Sequence, residues 1–93
     1  MEQLNITEIR NEINEIDEEI VRLLEKRFNT VLKVGVYKKI HNLPVFNEER
    51  ENQVIEKCAK MLSNHKYDRY LKNIYVEIMD TCKDIQKNEI LQA

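Results

Sequence analysis

Apolar residues recur at helical intervals over the first part of the chain. Ile6, Ile9, Ile13, Ile16, Ile20 and Leu23 follow in alternating steps of three and four, the spacing of a heptad seam. Leu32, Val34 and Val36 carry the pattern on to Ile40. Asn5 followed by Glu8 has capping-box spacing, with Asn in the usual Ser/Thr place, so a first helix is predicted over 5–40. Gly35 is its one weak position. In a helix Gly costs roughly 1 kcal/mol against Ala, so close packing is expected there. His41-Asn42-Leu43-Pro44 ends the helix, because the residue before a proline avoids the α conformation. After a loop over 41–46, Asn47 suits an N-cap, with Glu48 and Glu49 in the first turn. A second helix is predicted over 48–62, with Val54, Ile55, Cys58, Ala59 and Leu62 facing inward. Ser63-Asn64-His65-Lys66 reads as a connection. A third helix is predicted over 67–88, carrying Leu71, Ile74, Tyr75, Ile78, Met79, Cys82 and Ile85 inward, and the last few residues are expected to fray.

Composition narrows the class. The 93 residues contain one Gly and one Pro, too few turn-formers for a β-rich domain. Hydrophobic residues make up 42%, enough for a core, so the expectation is a single all-α domain over 1–93. Lys and Arg number 15 against 17 Asp and Glu, a net charge of −2, which argues against broad nucleic-acid or anionic-membrane binding. The apolar runs are too short for a membrane span, and the acidic, polar N-terminus carries no signal-peptide core. Cys58 and Cys82 lie far apart and form no CxxC motif, which fits two thiols in a reducing cytoplasm.

Length bears on assembly. A helix of about 35 residues spans on the order of 50 Å. A compact domain of this size is only about 30 Å across. The first helix should therefore overhang its own domain, and its seam needs a partner, most simply a second copy of the chain.

The informative residues are charges on apolar faces. With residues placed about 100° apart, the seam from Ile6 to Leu23 averages about 190°, Arg27 falls at about 180° and Lys38 at about 200°. Arg10 lies at the edge of the stripe, at about 280°. On the second helix Glu51 sits within the apolar stripe, with Arg50 turned roughly 100° away. On the third, Cys82 is inside the stripe and Gln86 at its margin one turn later. Each has an ordinary explanation when taken alone. Arg27 and Lys38 can snorkel, Arg10, Arg50 and Gln86 can be solvated, Glu51 can be a structural ion-pair partner, Cys82 a small core residue, and Asn47 only a cap. Together they describe a net-positive polar pocket, whose cost an anionic ligand would offset. His41 and His65 lack metal-ligand spacing and read as loop residues. No Gly-rich loop cradles a phosphate, and neither Cys has a basic neighbour that would make it a nucleophile. Tyr67, Tyr70 and Tyr75 read as core and rim aromatics.

The set Ile9-Arg10, Ile13, Asp17, Leu23-Leu24 and Arg27, then Val34-Gly35, Lys38, Pro44-Val45, Glu48, Arg50-Glu51 and Gln86, closely resembles the all-helical chorismate mutases, the AroQ class. The resemblance runs from about residue 4 to residue 88. It implies an intertwined homodimer of three-helix chains whose long first helices span both subunits. It also implies conversion of chorismate to prephenate, a Claisen rearrangement in the route to Phe and Tyr, with no metal or other cofactor. On this resemblance Arg10 reaches into the partner's site, and Arg10 and Arg27 bind the substrate carboxylates. Lys38 and Gln86 donate to the ether oxygen of the breaking C–O bond. Glu51 holds the ring hydroxyl, with help from the backbone at Asn47, and Arg50 completes the cationic lining. Gln86 is neutral and donates without protonation, which predicts a broad pH optimum on that side. Two positions depart from the family pattern. Asn47 stands where Asp is frequent, and its amide can still cap and donate. Cys82 stands where Ser or another small residue is common, and a thiol is the weaker hydrogen-bond partner. Two other functions remain open at this point. One is an isochorismate pyruvate lyase using the same anion pocket on the same fold. The other is a non-catalytic dimerisation or regulatory module, which accounts for the seam but not for Arg27, Lys38 and Glu51 on apolar faces.

Overall fold

A computed structural model describes residues 4–91. Helix α1 spans Ile6–Ile40, α2 spans Glu48–Lys60 and α3 spans Asp68–Gln86. A short 3-10 turn, His65–Tyr67, precedes α3, and a π-helical turn, Lys87–Leu91, follows it. The described residues are helical or irregular, with no strand among them. No helix among them is long and apolar enough to cross a membrane. The chain divides into two compact units, Met1–Thr30 and Val31–Ala93.

The first unit holds the opening turns of α1. Asn5 caps them as its spacing predicts. Its Oδ1 accepts from the backbone N–H of Thr7 at 2.9 Å and of Glu8 at 3.3 Å, which satisfies two of the donors every helix start leaves over. The seam residues Ile6, Ile13, Ile16, Ile20 and Leu23 are all exposed in the single chain, between 47% and 57%. Ile9 is partly buried.

The second unit begins with the last turns of α1, and its core is small. Gly35, Val45, Ala59, Met79, Cys82 and Gln86 are its buried residues. α2 packs against α3, with an exposed ion pair from Lys72 to Glu56 at 3.1 Å along the seam. The packing expected at Gly35 is present. A Cβ there would lie 3.1 Å from Ile90 Cγ1 and 3.2 Å from Gln86 Cγ.

Several boundaries differ from the predicted ones. α1 is stopped at Asn42 rather than at Pro44. Asn42 adopts φ 55°, the Leu43 N–H donates to the Lys38 carbonyl at 2.8 Å, and the Asn42 N–H donates to that of Lys39 at 3.3 Å. This is the left-handed C-cap that Asn tolerates better than most residues. α2 ends at Lys60 rather than 62, because the Met61 and Leu62 N–H groups tighten onto the carbonyls three residues back. The connection over 63–66 is partly ordered as the 3-10 turn. Asn64 Oδ1 accepts from the Lys66 N–H at 3.0 Å, and His65 Nδ1 lies 2.9 Å from Asp68 Oδ1. Ile74, expected inward, is 60% exposed. It lies roughly 110° around α3 from the middle of the buried Met79–Cys82–Gln86 face. The apolar stripe is thus wider than the surface covering it. The expected fraying is overturned as far as Leu91, where the π-helical turn is tied to α1 by Lys39 Nζ donating to the Ile90 carbonyl at 3.2 Å. Residues 92 and 93 lie outside the described residues.

Candidate functional site

The turn at Asn42 sets the geometry around Lys38. The chain returns after α1, and Val45 is buried. Lys38 Nζ, partly buried, donates to the Val45 carbonyl at 2.7 Å. Burial pushes the Lys38 pKa below its ordinary value, while the charge of Glu51 works in the opposite direction. Lys38 is thus an ammonium resting on a neutral acceptor, within electrostatic reach of a carboxylate.

Asn47 begins α2 as its N-cap, its Oδ1 accepting from the Arg50 N–H at 3.1 Å. That cap fixes the first turn of α2, which carries Arg50 and Glu51. Arg50 is exposed. Glu51 is mostly covered, and Lys83 of α3 reaches it, with Nζ 3.1 Å from Oε2 and 3.4 Å from Oε1. Lys83 also meets Asp80 at 3.2 Å, and its ammonium stands 4.5 Å from the centroid of the Phe46 ring. Desolvation opposes the Lys83 charge, but hydrogen bonds to Glu51 and Asp80 and the two carboxylate charges outweigh it and raise the pKa.

Gln86 and Cys82 occupy the buried face of α3, one turn apart. Both cysteines are thiols. Gln86 packs its Cβ and Cγ against Gly35. Its Oε1 is buried and has no hydrogen-bond partner. Leaving such an atom unmatched costs about 1–3 kcal/mol, and native proteins seldom do so without a reason. Gly35 lies three residues before Lys38, so the Gln86 amide and the Lys38 ammonium share one side of α1.

The second unit therefore holds Lys38, Asn47, Arg50, Glu51, Cys82 and Gln86 of the residues singled out from sequence. Arg10 and Arg27 belong to the first unit, where Arg10 is exposed and Arg27 partly buried. The residue that sequence reasoning missed is Lys83. It sits at the margin of the α3 stripe, three residues from Asp80, and reads as a solvated pair like Lys72 or Lys87. Only the packing of α2 on α3 reveals that it meets Glu51.

Chemically, the second unit offers one cationic donor, one neutral amide and one carboxylate acceptor. Such a set can hold a hydroxyl and stabilise negative charge growing on an ether or carbonyl oxygen. It requires no attacking side chain.

A sequence model of the family "Chorismate mutase type II" matches residues 9–87. The chain is 38% identical over 92 residues to a bifunctional chorismate mutase/prephenate dehydratase of Aquifex aeolicus, covering 94% of this chain and 25% of that one. It is 30% identical over 87 residues to a chorismate mutase of Methanocaldococcus jannaschii, covering 94% of this chain and 83% of that one. A second bifunctional chorismate mutase/prephenate dehydratase, from Buchnera aphidicola, is 32% identical over 84 residues. The chain spans about a quarter of the length of the bifunctional relatives. With a match that runs through all three helices and takes in Arg10, Arg27, Lys38, Glu51 and Gln86, this chain belongs to the type II chorismate mutase family.

Proposed function

We propose that this chain is a chorismate mutase. It converts chorismate to prephenate by a Claisen rearrangement, in the route to Phe and Tyr. The observation that carries the reading is the buried, unmatched amide of Gln86 on the same side of α1 as Lys38. A donor pair of this kind suits an oxygen that gains negative charge as its C–O bond breaks.

The reaction is intramolecular, so the protein's task is conformational and electrostatic. The substrate must be held with its reacting ends together, which can supply about 7–11 kcal/mol of the barrier in favourable cases. Arg10 and Arg27 bind the two carboxylates, for which the guanidinium fork is suited. Lys38 leaves the Val45 carbonyl and donates, with Gln86, to the ether oxygen. These donors act most strongly where charge develops, so they lower the barrier rather than merely tighten binding. Glu51 accepts from the ring hydroxyl, helped by the backbone at Asn47. Arg50 adds positive charge, and Cys82 lines the site beside Gln86. The chemistry consumes no electrons and forms no covalent intermediate, so it calls for no metal or other cofactor.

The working form is a homodimer of intertwined chains, with Arg10 given to the partner's site. The exposed seam of α1 supports this, since five large apolar residues at heptad spacing stand uncovered in one chain. A second helix of the same kind would cover them. The whole chain acts as one such domain. A cytoplasmic location accompanies this reading, in line with two widely spaced thiols.

A continuous absorbance assay with purified protein and chorismate, with identification of the product, tests the proposal. Prephenate formation is expected, abolished by Arg27→Ala and by Lys38→Ala in protein that keeps its helical signal. Pyruvate released from isochorismate, with chorismate untouched, would transfer the assignment to the lyase. A folded dimer inert on both would leave a binding module and sink the enzymatic reading.

A further inference from the structure

Glu51 is an awkward residue for a site that takes a dicarboxylate. It brings a negative charge to a partly covered position on α2, where its side chain is 19% exposed. An unpaired carboxylate there would repel an incoming dianion and lose solvation with no return. Lys38, the nearby lysine that sequence points to, does not pair with it directly. Its ammonium rests on the Val45 carbonyl. The cation that meets Glu51 is Lys83, which approaches both carboxylate oxygens from α3. Lys83 is itself held on several sides. Asp80 stands 3.2 Å away one turn earlier, the Phe46 ring lies below the ammonium, and the side chain is 20% exposed. Four rotatable bonds normally leave a lysine little orientational value. Here packing and pairing remove most of that freedom.

We propose that Lys83 is a positioning residue for the substrate. By bridging the oxygens of Glu51 from α3, it fixes the direction of that carboxylate toward the ring hydroxyl and cancels its charge against the substrate dianion. The proposal rests on the chorismate mutase reading above. It also divides the labour of two lysines. Lys83 occupies Glu51, and Lys38 stays on a neutral carbonyl that it can leave by breaking one hydrogen bond.

The kinetic signature follows from when the charge is present. The substrate carboxylates are ionised in the ground state and in the transition state alike. Uncovering Glu51 therefore weakens both equally, which raises KM and spares kcat.

A double-mutant cycle with Glu51 supplies the test. Lys83→Met is expected to raise KM about tenfold with kcat within about threefold of the parent, and Lys83→Arg to keep KM within about threefold. In a Glu51→Gln background, where no charge needs covering, Lys83→Met is expected to change KM less than about twofold. An equal factor in both backgrounds, or an unmoved KM for folded Lys83→Met, would reduce Lys83 to a tie between two helices and overturn the proposal. Should Lys83→Met not fold, Lys83→Gln carries the same comparison. Failure of the parent reading is distinct from failure of this one. A wild-type protein that leaves chorismate unchanged defeats the activity before any variant is made.

Discussion

The opening turns of α1 expose an apolar stripe, whereas the second unit buries an amide with no partner. From Ile6 to Leu23 the seam residues stand about half exposed in the single chain. At Gln86 the side chain is 6% exposed and its carbonyl oxygen is unmatched. Each departs from the rule that apolar groups go inside and buried polar groups are satisfied. The two departures call for different occupants. An exposed stripe at heptad spacing asks for another apolar helix, and coverage of five such residues favours association by several kcal/mol. A buried donor-acceptor beside an ammonium asks for a small polar ligand. One end of the sequence is thus unfinished toward a protein surface and the other toward a substrate.

The largest effect should come from the ligand side. Lys38→Ala removes the charged donor, and losing one such group costs about 10²–10³ in kcat. Circular dichroism should be unchanged, because the partner lost is a single exposed-end carbonyl contact. The alkaline limb of the wild-type kcat/KM profile sharpens the point. Lys38 donates only when protonated, and burial lowers its pKa. Activity should therefore fall, as pH rises, earlier than an ordinary lysine would dictate. A limb that persists in Lys38→Arg at the same pH would show that another group titrates.

Gln86→Glu should follow in size. A carboxyl can donate to the ether oxygen only while protonated, whereas the amide donates at any pH. The variant should keep activity under acid conditions and lose about two orders of magnitude at pH 8. Full activity at pH 8 would remove Gln86 from the reaction and leave its unmatched oxygen without a purpose.

How far the chain could be read in advance divides along the same line. The helices, the cap at Asn5, the cap at Asn47 and the packing at Gly35 all follow from local spacing and local chemistry, and the structure has each of them. Lys38, Glu51 and Gln86 were conspicuous because polar residues on apolar stripes are rare. Lys83 was not, because its role depends on which side of α3 meets α2, a relation that no periodicity within one helix contains. Ile74 misled for the converse reason. Its spacing is that of a core residue, but nothing among the described residues covers that edge of α3. Asn42 was passed over for Pro44, since the left-handed cap is a property of one φ angle and Asn only permits it.

The seam is broken most directly by Ile13→Asp. Ile13 is 50% exposed in the single chain, so the folded protomer should lose little. A twofold assembly would instead bury two new carboxylates, costing several kcal/mol. Sedimentation should show a shift from dimer to monomer, and activity should fall with it if Arg10 serves the partner's site. A variant that remains dimeric at micromolar concentration would mean that the stripe is covered by something else.

Gly35→Ala should produce the smallest effect and the one that best separates the two kinds of incompleteness. The added Cβ would sit 3.1 Å from Ile90 Cγ1 and 3.2 Å from Gln86 Cγ, close enough that the neighbours must yield by a few tenths of an ångström. Against this, Ala is favoured over Gly in a helix by roughly 1 kcal/mol. The two terms are of similar size, so the melting temperature should scarcely move. The seam lies on the opening turns of α1 and should not register the change at all. The Gln86 amide is different, since it is packed directly on the glycine and its value lies in its placement. A displacement of a few tenths of an ångström at a donor should lower kcat by about threefold to tenfold with KM little altered. An unchanged kcat would show that Gln86 tolerates movement and that its burial, rather than its aim, is what the glycine secures.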